Sequence, residues 1–173
     1  MGTKISNRFV GKGGVGMKDK IKFAGADVVI QVIDKDTGKV VDERKGHNLV
    51  LNNMRKHIRY NLLGWYNWYG IWSSPRIHIG TNGTAPEETQ TSLTEQYREQ
   101  SANRSEWNDT EQRREIETLF TDFTEEVHIC EAGVSTDTHT QGQTLKNRIT
   151  FPYVVVDQTK NLKVIMYFYA GGA

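Results

Sequence analysis

The sequence predicts a mainly β protein, a β-sandwich with one or two short helices and an extended N-terminal arm, and three observations carry that expectation. Several short runs alternate apolar and polar side chains with a period of two, the spacing of a strand with one buried face. Polar, Gly- and Thr-rich turns separate those runs, and only one stretch shows a helical stripe. Many short strands joined by polar turns suit two packed sheets, with a helix across an end or face.

Residues 1–24 are rich in Gly and Lys with few large apolar side chains. They cannot build a core alone and are expected to form a flexible arm ahead of a single domain at 25–173. Within the arm, "GKGGVGMKDK" at 11–20 has the look of a phosphate loop and resembles the variant loop of partitioning ATPases at Lys12, Gly13, Gly14, Val15 and Gly16. Such a loop needs a Lys for the terminal phosphates and a Ser or Thr for magnesium, and Met17 and Lys18 stand in those places. A thioether cannot replace an ammonium, nor can an ammonium ligate a cation. Gly11, Gly13, Gly14 and Gly16 are therefore expected to be hinge residues at an interface, keeping the backbone mobile.

The first strand is "ADVVIQVID", with Val28, Ile30 and Val32 on one face. "DKDTGK" makes a turn, with Gly38 suited to a positive φ, and "VVDER" returns as the hairpin partner. A helix is expected near 53–63, where Leu51, Met54, Ile58 and Leu62 fall near one side, Asn52 can cap the start and Gly64 suits the end. Arg55, Lys56 and Arg59 fall on its solvated face.

"GWYNWYGIW" follows. Trp65, Trp68, Tyr69 and Trp72 suit core packing, a protein interface or a stacked sugar, and the residues alone leave all three open. "PRIHIG" is a strand with Ile77 and Ile79 inward and His78 outward. After a polar loop, Ser92 and Glu95 have the spacing of a capping box for a brief helix holding Leu93 and Tyr97, and the polar run near 98–112 is expected to be a long exposed connection.

The C-terminal half returns to strands. Ile116, Thr118 and Phe120 share a face; "EVHICEAGV" sets Val127, Ile129 and Glu131 on one face; and Ser135 to Thr144 is a turn region. In "LKNRITFPYVVV", Pro152 marks an edge or a bulge. "NLKVIMYFYA" is apolar on both faces, so it is expected to be covered on both, by its own fold or by another subunit.

With 173 residues, the chain is long enough for one domain with a real core. Its net charge of +1 argues against a general nucleic-acid binder. The lone Cys130 rules out an internal disulfide and a multi-cysteine zinc site, and is expected to be a small buried hydrophobe. No run approaches a membrane span or a signal peptide, so folding in a cytoplasm is expected. The five histidines show no metal-binding spacing. No catalytic group, metal or cofactor is expected. A carboxylate at Glu131 among apolar neighbours needs a partner, and an ion pair or backbone hydrogen bonds fixing a turn at Gly133 is the expected arrangement.

The order of segments also resembles a group of small structural proteins of tailed bacteriophages associated with tails, baseplates and fibre attachment, and the later part is similar to the tail-collar fibre proteins. The likeness spans about Val28 to Ala170. It rests on "IGTNGTAP" with a downstream "SL", and on "EAG" followed by a Phe-Pro strand. It implies a non-enzymatic virion protein that forms a ring or fibre-like homo-oligomer beside other virion proteins, with Gly80, Gly83, Glu131, Ala132 and Gly133 as structural turn residues. The arm and the Trp65–Trp72 stretch depart from the group. A capsid decoration protein and an adhesin module binding host carbohydrate through residues 65–72 are the alternatives.

Overall fold

The protein is seen in a computed structural model that describes residues 26–62, 74–136 and 144–169. Among these residues, ten strands form two five-stranded antiparallel sheets packed face to face, with one helix. The arm with Gly11, Gly13, Gly14 and Gly16, and the aromatic segment with Trp65, Trp68, Tyr69 and Trp72, lie outside the described residues.

The first sheet has the order β2 (Val40–His47), β1 (Ala26–Asp34), β10 (Lys160–Tyr169), β7 (Arg113–Phe120), β6 (Arg104–Asn108). The second runs β3 (Leu49–Val50), β9 (Leu145–Val156), β8 (Val127–Thr136), β4 (Pro75–Gly80), β5 (Gln96–Ser101). Their inner faces supply the core: Val28, Ile30 and Val32 of β1, Leu162, Val164 and Met166 of β10 and Ile116 and Phe120 of β7 meet Ile77 and Ile79 of β4, Ile129 of β8 and Val154 of β9. Each such aliphatic side chain contributes about 1.5–3 kcal/mol on full burial, so the alternation alone sets which face turns inward. The β1–β2 turn places Gly38 at φ +68°, as its lack of a β-carbon allows.

The helix α1 spans Asn52–Leu62 and sets Met54 and Ile58 against the core. It begins one residue earlier than expected, because Leu51 rather than Asn52 supplies the first carbonyl, accepting from the N–H groups of Met54 and Arg55.

Three expectations are corrected. The polar run near 98–112 is not a long connection: most of β5 and all of β6 lie there, with Ala102 and Asn103 turning the chain from one sheet to the other. Both strands sit at sheet edges, where polar side chains are the norm, and Arg98 and Gln100 reach the carbonyls of Thr121 and Leu119. No helix forms around Leu93 and Tyr97. Leu93 packs with Leu51 and Leu145 instead, and Tyr97 belongs to β5. His78 lies on the outer face as read, but it is buried there rather than exposed.

Pro152 does lie in a bulge. The β8–β9 register jumps between Ile129 and Glu131, where β9 runs from Val154 to Thr150. A residue without an N–H is placed where the ladder is already broken.

Candidate functional site

That same bulge decides where Glu131 points. Three residues of β9, 151–153, stand opposite the single Cys130 of β8, and across this break the side-chain phase flips, so that Ile129 and Ala132 both face the core. Glu131 therefore does not share a face with Val127 and Ile129. It stands on the outer face of the second sheet beneath the segment 81–95.

There it meets Arg148, also fully buried, whose Nε donates to Oε2 at 2.9 Å with Nη2 at 2.8 Å. The backbone N–H groups of Glu95 (2.9 Å) and Asn82 (3.3 Å) donate to Oε1, and that of Thr94 (3.2 Å) to Oε2. Nη1 of Arg148 reaches the Gln90 side-chain oxygen at 2.9 Å. A carboxylate removed from water needs this many donors to offset lost hydration. Glu131 and Arg148 together anchor both ends and the middle of the segment 81–95.

Two glycines make the anchoring sterically feasible. Gly80 lies across from Glu131 in the β4–β8 ladder, and Gly133 across from Arg148 in the β8–β9 ladder. A β-carbon on Gly133 would stand 2.6 Å from the carbonyl oxygen of Asn147. Gly80, Glu131, Ala132 and Gly133 are therefore strand residues rather than turn residues, glycine being required at 80 and 133 by close approach. Gly83 does lie in the connecting segment.

Beside this anchor sits a second polar chain. His78 Nε2 is 2.7 Å from Ser135 Oγ, while its Nδ1 is 2.8 Å from Gln96 Oε1 and 3.2 Å from Glu99 Oε2. With the proton on Nδ1 donating to Gln96, Nε2 accepts from the serine hydroxyl. The sequence hydroxyl, imidazole, carboxylate is that of an acyl-transfer triad. Here Ser135 has 0% exposure and His78 4%, so an acyl donor has no approach to the hydroxyl. The chain instead ties β4, β5 and β8 together. Burial holds the His78 imidazole below its ordinary value, with the Gln96 hydrogen bond and the Glu99 charge acting the other way.

Cys130 is half-buried rather than fully buried, and burial, with Glu131 behind it, pushes its thiol up. Lys146, in the second β8–β9 irregularity, is buried and lowered to about 8 by desolvation, with its ammonium 3.2 Å from the Thr144 hydroxyl. Among the described residues no group of three or more His, Cys, Asp and Glu could hold a metal ion, and no helix is long and apolar enough to cross a membrane.

The first sheet is different, because no described helix or strand crosses its outer face. Val29, Ile165 and Tyr167 lie there among charged side chains, with Lys163 bound to Glu117 at 2.9 Å. At one end this face dips into a cleft of about 360 Å³ between β2, β1, β10 and β7. Tyr169 donates to Asp27 at 2.8 Å, His47 pairs with the other Asp27 oxygen, and the Arg113 guanidinium lies 3.9 Å from the Tyr167 ring centroid. Burial, then the Asp27 carboxylate, holds the Tyr169 hydroxyl above its ordinary value.

The structure thus gathers Gly80, Glu131 and Gly133 around one buried anchor, and adds Arg148, His78 and Ser135, which sequence reasoning missed. The signal for Arg148 was a cation inside the strand pattern "LKNRITF", within reach of a carboxylate inside another. Compared with known proteins, the chain matches no family model, no curated protein and no solved structure.

Proposed function

We propose that this chain is a non-enzymatic structural component of a tailed-phage particle, assembling with copies of itself and with other virion proteins in a tail, neck or baseplate. The observation that carries the reading is the contrast between the two outer faces. On the second sheet, Glu131 and Arg148 anchor the segment 81–95, and the Ser135–His78 pair is buried. On the first, Val29 and Tyr167 on the outer face are half-buried and Ile165 between them is buried, with no strand or helix laid over them among the described residues. Such a face, with an arm that cannot fold alone, suits assembly: weak contacts repeated around a ring sum to a firm one. The resemblance of "IGTNGTAP" and "EAGV" to phage tail proteins gives the reading its setting.

The test is to locate the protein in purified particles by labelling, and to measure the mass of the isolated chain in solution. A tail or baseplate position with an oligomer in solution supports the proposal. A position on the capsid lattice favours the decoration protein instead, and binding to a host glycan that is lost on Trp68→Ala with the fold intact favours the adhesin.

A further inference from the structure

We propose that Asn82 is a self-modifying site: in the folded chain its side-chain amide is lost to attack by the backbone nitrogen of Gly83, leaving isoaspartate or aspartate at the head of the segment 81–95. The inference goes beyond the assembly reading and does not rest on it.

Three observations select this residue. Asn82 is the one asparagine of the chain that is followed by glycine. The attack needs the backbone to turn until the next nitrogen reaches the side-chain carbon Cγ, a movement that a β-carbon on the following residue restricts and glycine does not. Gly83 has room for it: apart from its chain neighbours, a β-carbon built there would meet, among the described residues, only the Cys130 Sγ at 3.8 Å.

The second observation is the state of the carbonyl under attack. Asn82 Oδ1 accepts from the Thr84 N–H at 2.9 Å and from the Thr84 hydroxyl. Two donors aimed at one oxygen draw electron density from Cγ and stabilise the negative charge that gathers there as the new bond forms, as an oxyanion hole does. Asn103 and Asn147 also accept backbone N–H groups, from Leu119 and Val134 at 2.7 Å each. An arginine held in a strand follows each of them, so neither has a mobile nitrogen beside it.

The third is access. Asn82 is half-buried, and Gly83, Thr84 and Ala85 are exposed, so water reaches the site.

Water is the only co-reactant. The Gly83 nitrogen bonds to Cγ of Asn82 and gives up its proton, while the Cγ–Nδ2 bond breaks and the amide nitrogen leaves as ammonia, closing a cyclic imide. Water then opens the imide. Opening at Cγ leaves aspartate; opening at the former backbone carbonyl leaves isoaspartate, with the main chain routed through one added methylene.

That methylene falls in a tied stretch. The Asn82 N–H donates to Glu131 Oε1 at 3.3 Å, and the Ala85 carbonyl accepts from Arg148 Nη1 at 3.4 Å. Isoaspartate lengthens the chain between these two ties and sets a second carboxylate near that of Glu131, where like charges repel. The modification therefore loosens the segment from its buried anchor.

The experiment incubates the full, folded chain at mildly alkaline pH and follows every asparagine by peptide mass spectrometry, with isoaspartate-specific enzymatic methylation to tell the two products apart. The amide-to-acid mass change is expected at residue 82 ahead of every other asparagine, with isoaspartate among the products. Gly83→Ala is expected to slow it about tenfold or more. Thr84→Val removes the hydroxyl donor and keeps the N–H; it is expected to slow conversion roughly threefold to tenfold, the worth of one hydrogen bond, in the folded chain but not in urea. Converted chains, separated by their added charge, are expected to unfold at lower urea concentration than unconverted ones. An Asn82 that keeps its amide in the folded chain, another asparagine converting first, or a Gly83→Ala chain converting as fast as the parent overturns the inference. A folded Thr84→Val chain with the parent's rate overturns the activation by Thr84, and an unchanged urea midpoint overturns the loosening of the anchor.

Discussion

Gly80 faces Glu131 across the β4–β8 ladder so closely that a β-carbon on residue 80 would stand 2.8 Å from Cγ of Glu131. The carboxylate cannot swing aside, because three backbone N–H groups and Arg148 hold it. Gly80→Ala is therefore expected to destabilise the fold by about 1–3 kcal/mol, the usual cost of overfilling a packed site. Urea denaturation measures this. A variant as stable as the parent would mean that the segment 81–95 gives way freely.

Removing the carboxylate itself costs more. Glu131→Ala leaves the Arg148 guanidinium fully buried without its counter-charge, and a loss of about 3–5 kcal/mol is expected. Replacing both partners with apolar side chains, Glu131→Leu with Arg148→Met, is expected to recover a good part of that loss, since no uncompensated charge remains buried. The comparison of the single and double variants in denaturant decides it: a double variant no better than the single one would show that the backbone hydrogen bonds to Glu131, rather than the charge pair, carry the anchoring.

His78 makes a pH-dependent contribution whose sign follows from its burial. Its folded-state value is lowered from 6.5, first by desolvation and further by the Arg76 charge, against the opposing pull of Gln96 and Glu99. As pH falls below about 6.5 the unfolded chain takes up a proton that the folded one resists, so stability falls; above that value the contribution is flat. His78→Gln is expected to remove this part of the slope. Denaturation midpoints at pH 5 and pH 7.5 for parent and variant measure it, and an identical slope in both would assign the dependence to other groups.

The fold was legible wherever one face of a strand is buried. Val28, Ile30 and Val32 alternate with half-buried neighbours, whereas in β10 Ile165 is buried along with Val164 and Met166, as a strand apolar on both faces suggests. The edge strands β5 and β6 were not legible, because they carry polar residues on most positions and are held by ladder bonds and by the reach of Arg98 and Gln100. At the site, Glu131 was legible as a carboxylate in need of a partner, but its direction was not. The bulge shifts the side-chain phase, and its extra residues lie in β9 opposite Cys130, where Pro152 marks the break but not its effect on the direction of Glu131. His78 was read outward from its alternation with Ile77 and Ile79, correctly as to face, and its burial beside Gln96, Glu99 and Ser135 brings together β4, β5 and β8, a long-range arrangement that local pattern does not encode.

Deleting residues 1–24 separates folding from assembly. Every buried core side chain identified in the two sheets belongs to residues 28–168, so the shortened chain keeps the apolar surface whose burial drives folding. It is expected to unfold in denaturant at a midpoint close to that of the full chain. Its assembly is expected to weaken, because the arm's burial against a neighbour and the ordering that makes association conditional are both lost. Thermal or urea unfolding reads the first effect and sedimentation across a concentration series reads the second. Outright unfolding of the shortened chain would make the arm part of the fold, and unchanged assembly would show that surfaces of residues 25–173 hold copies together without it.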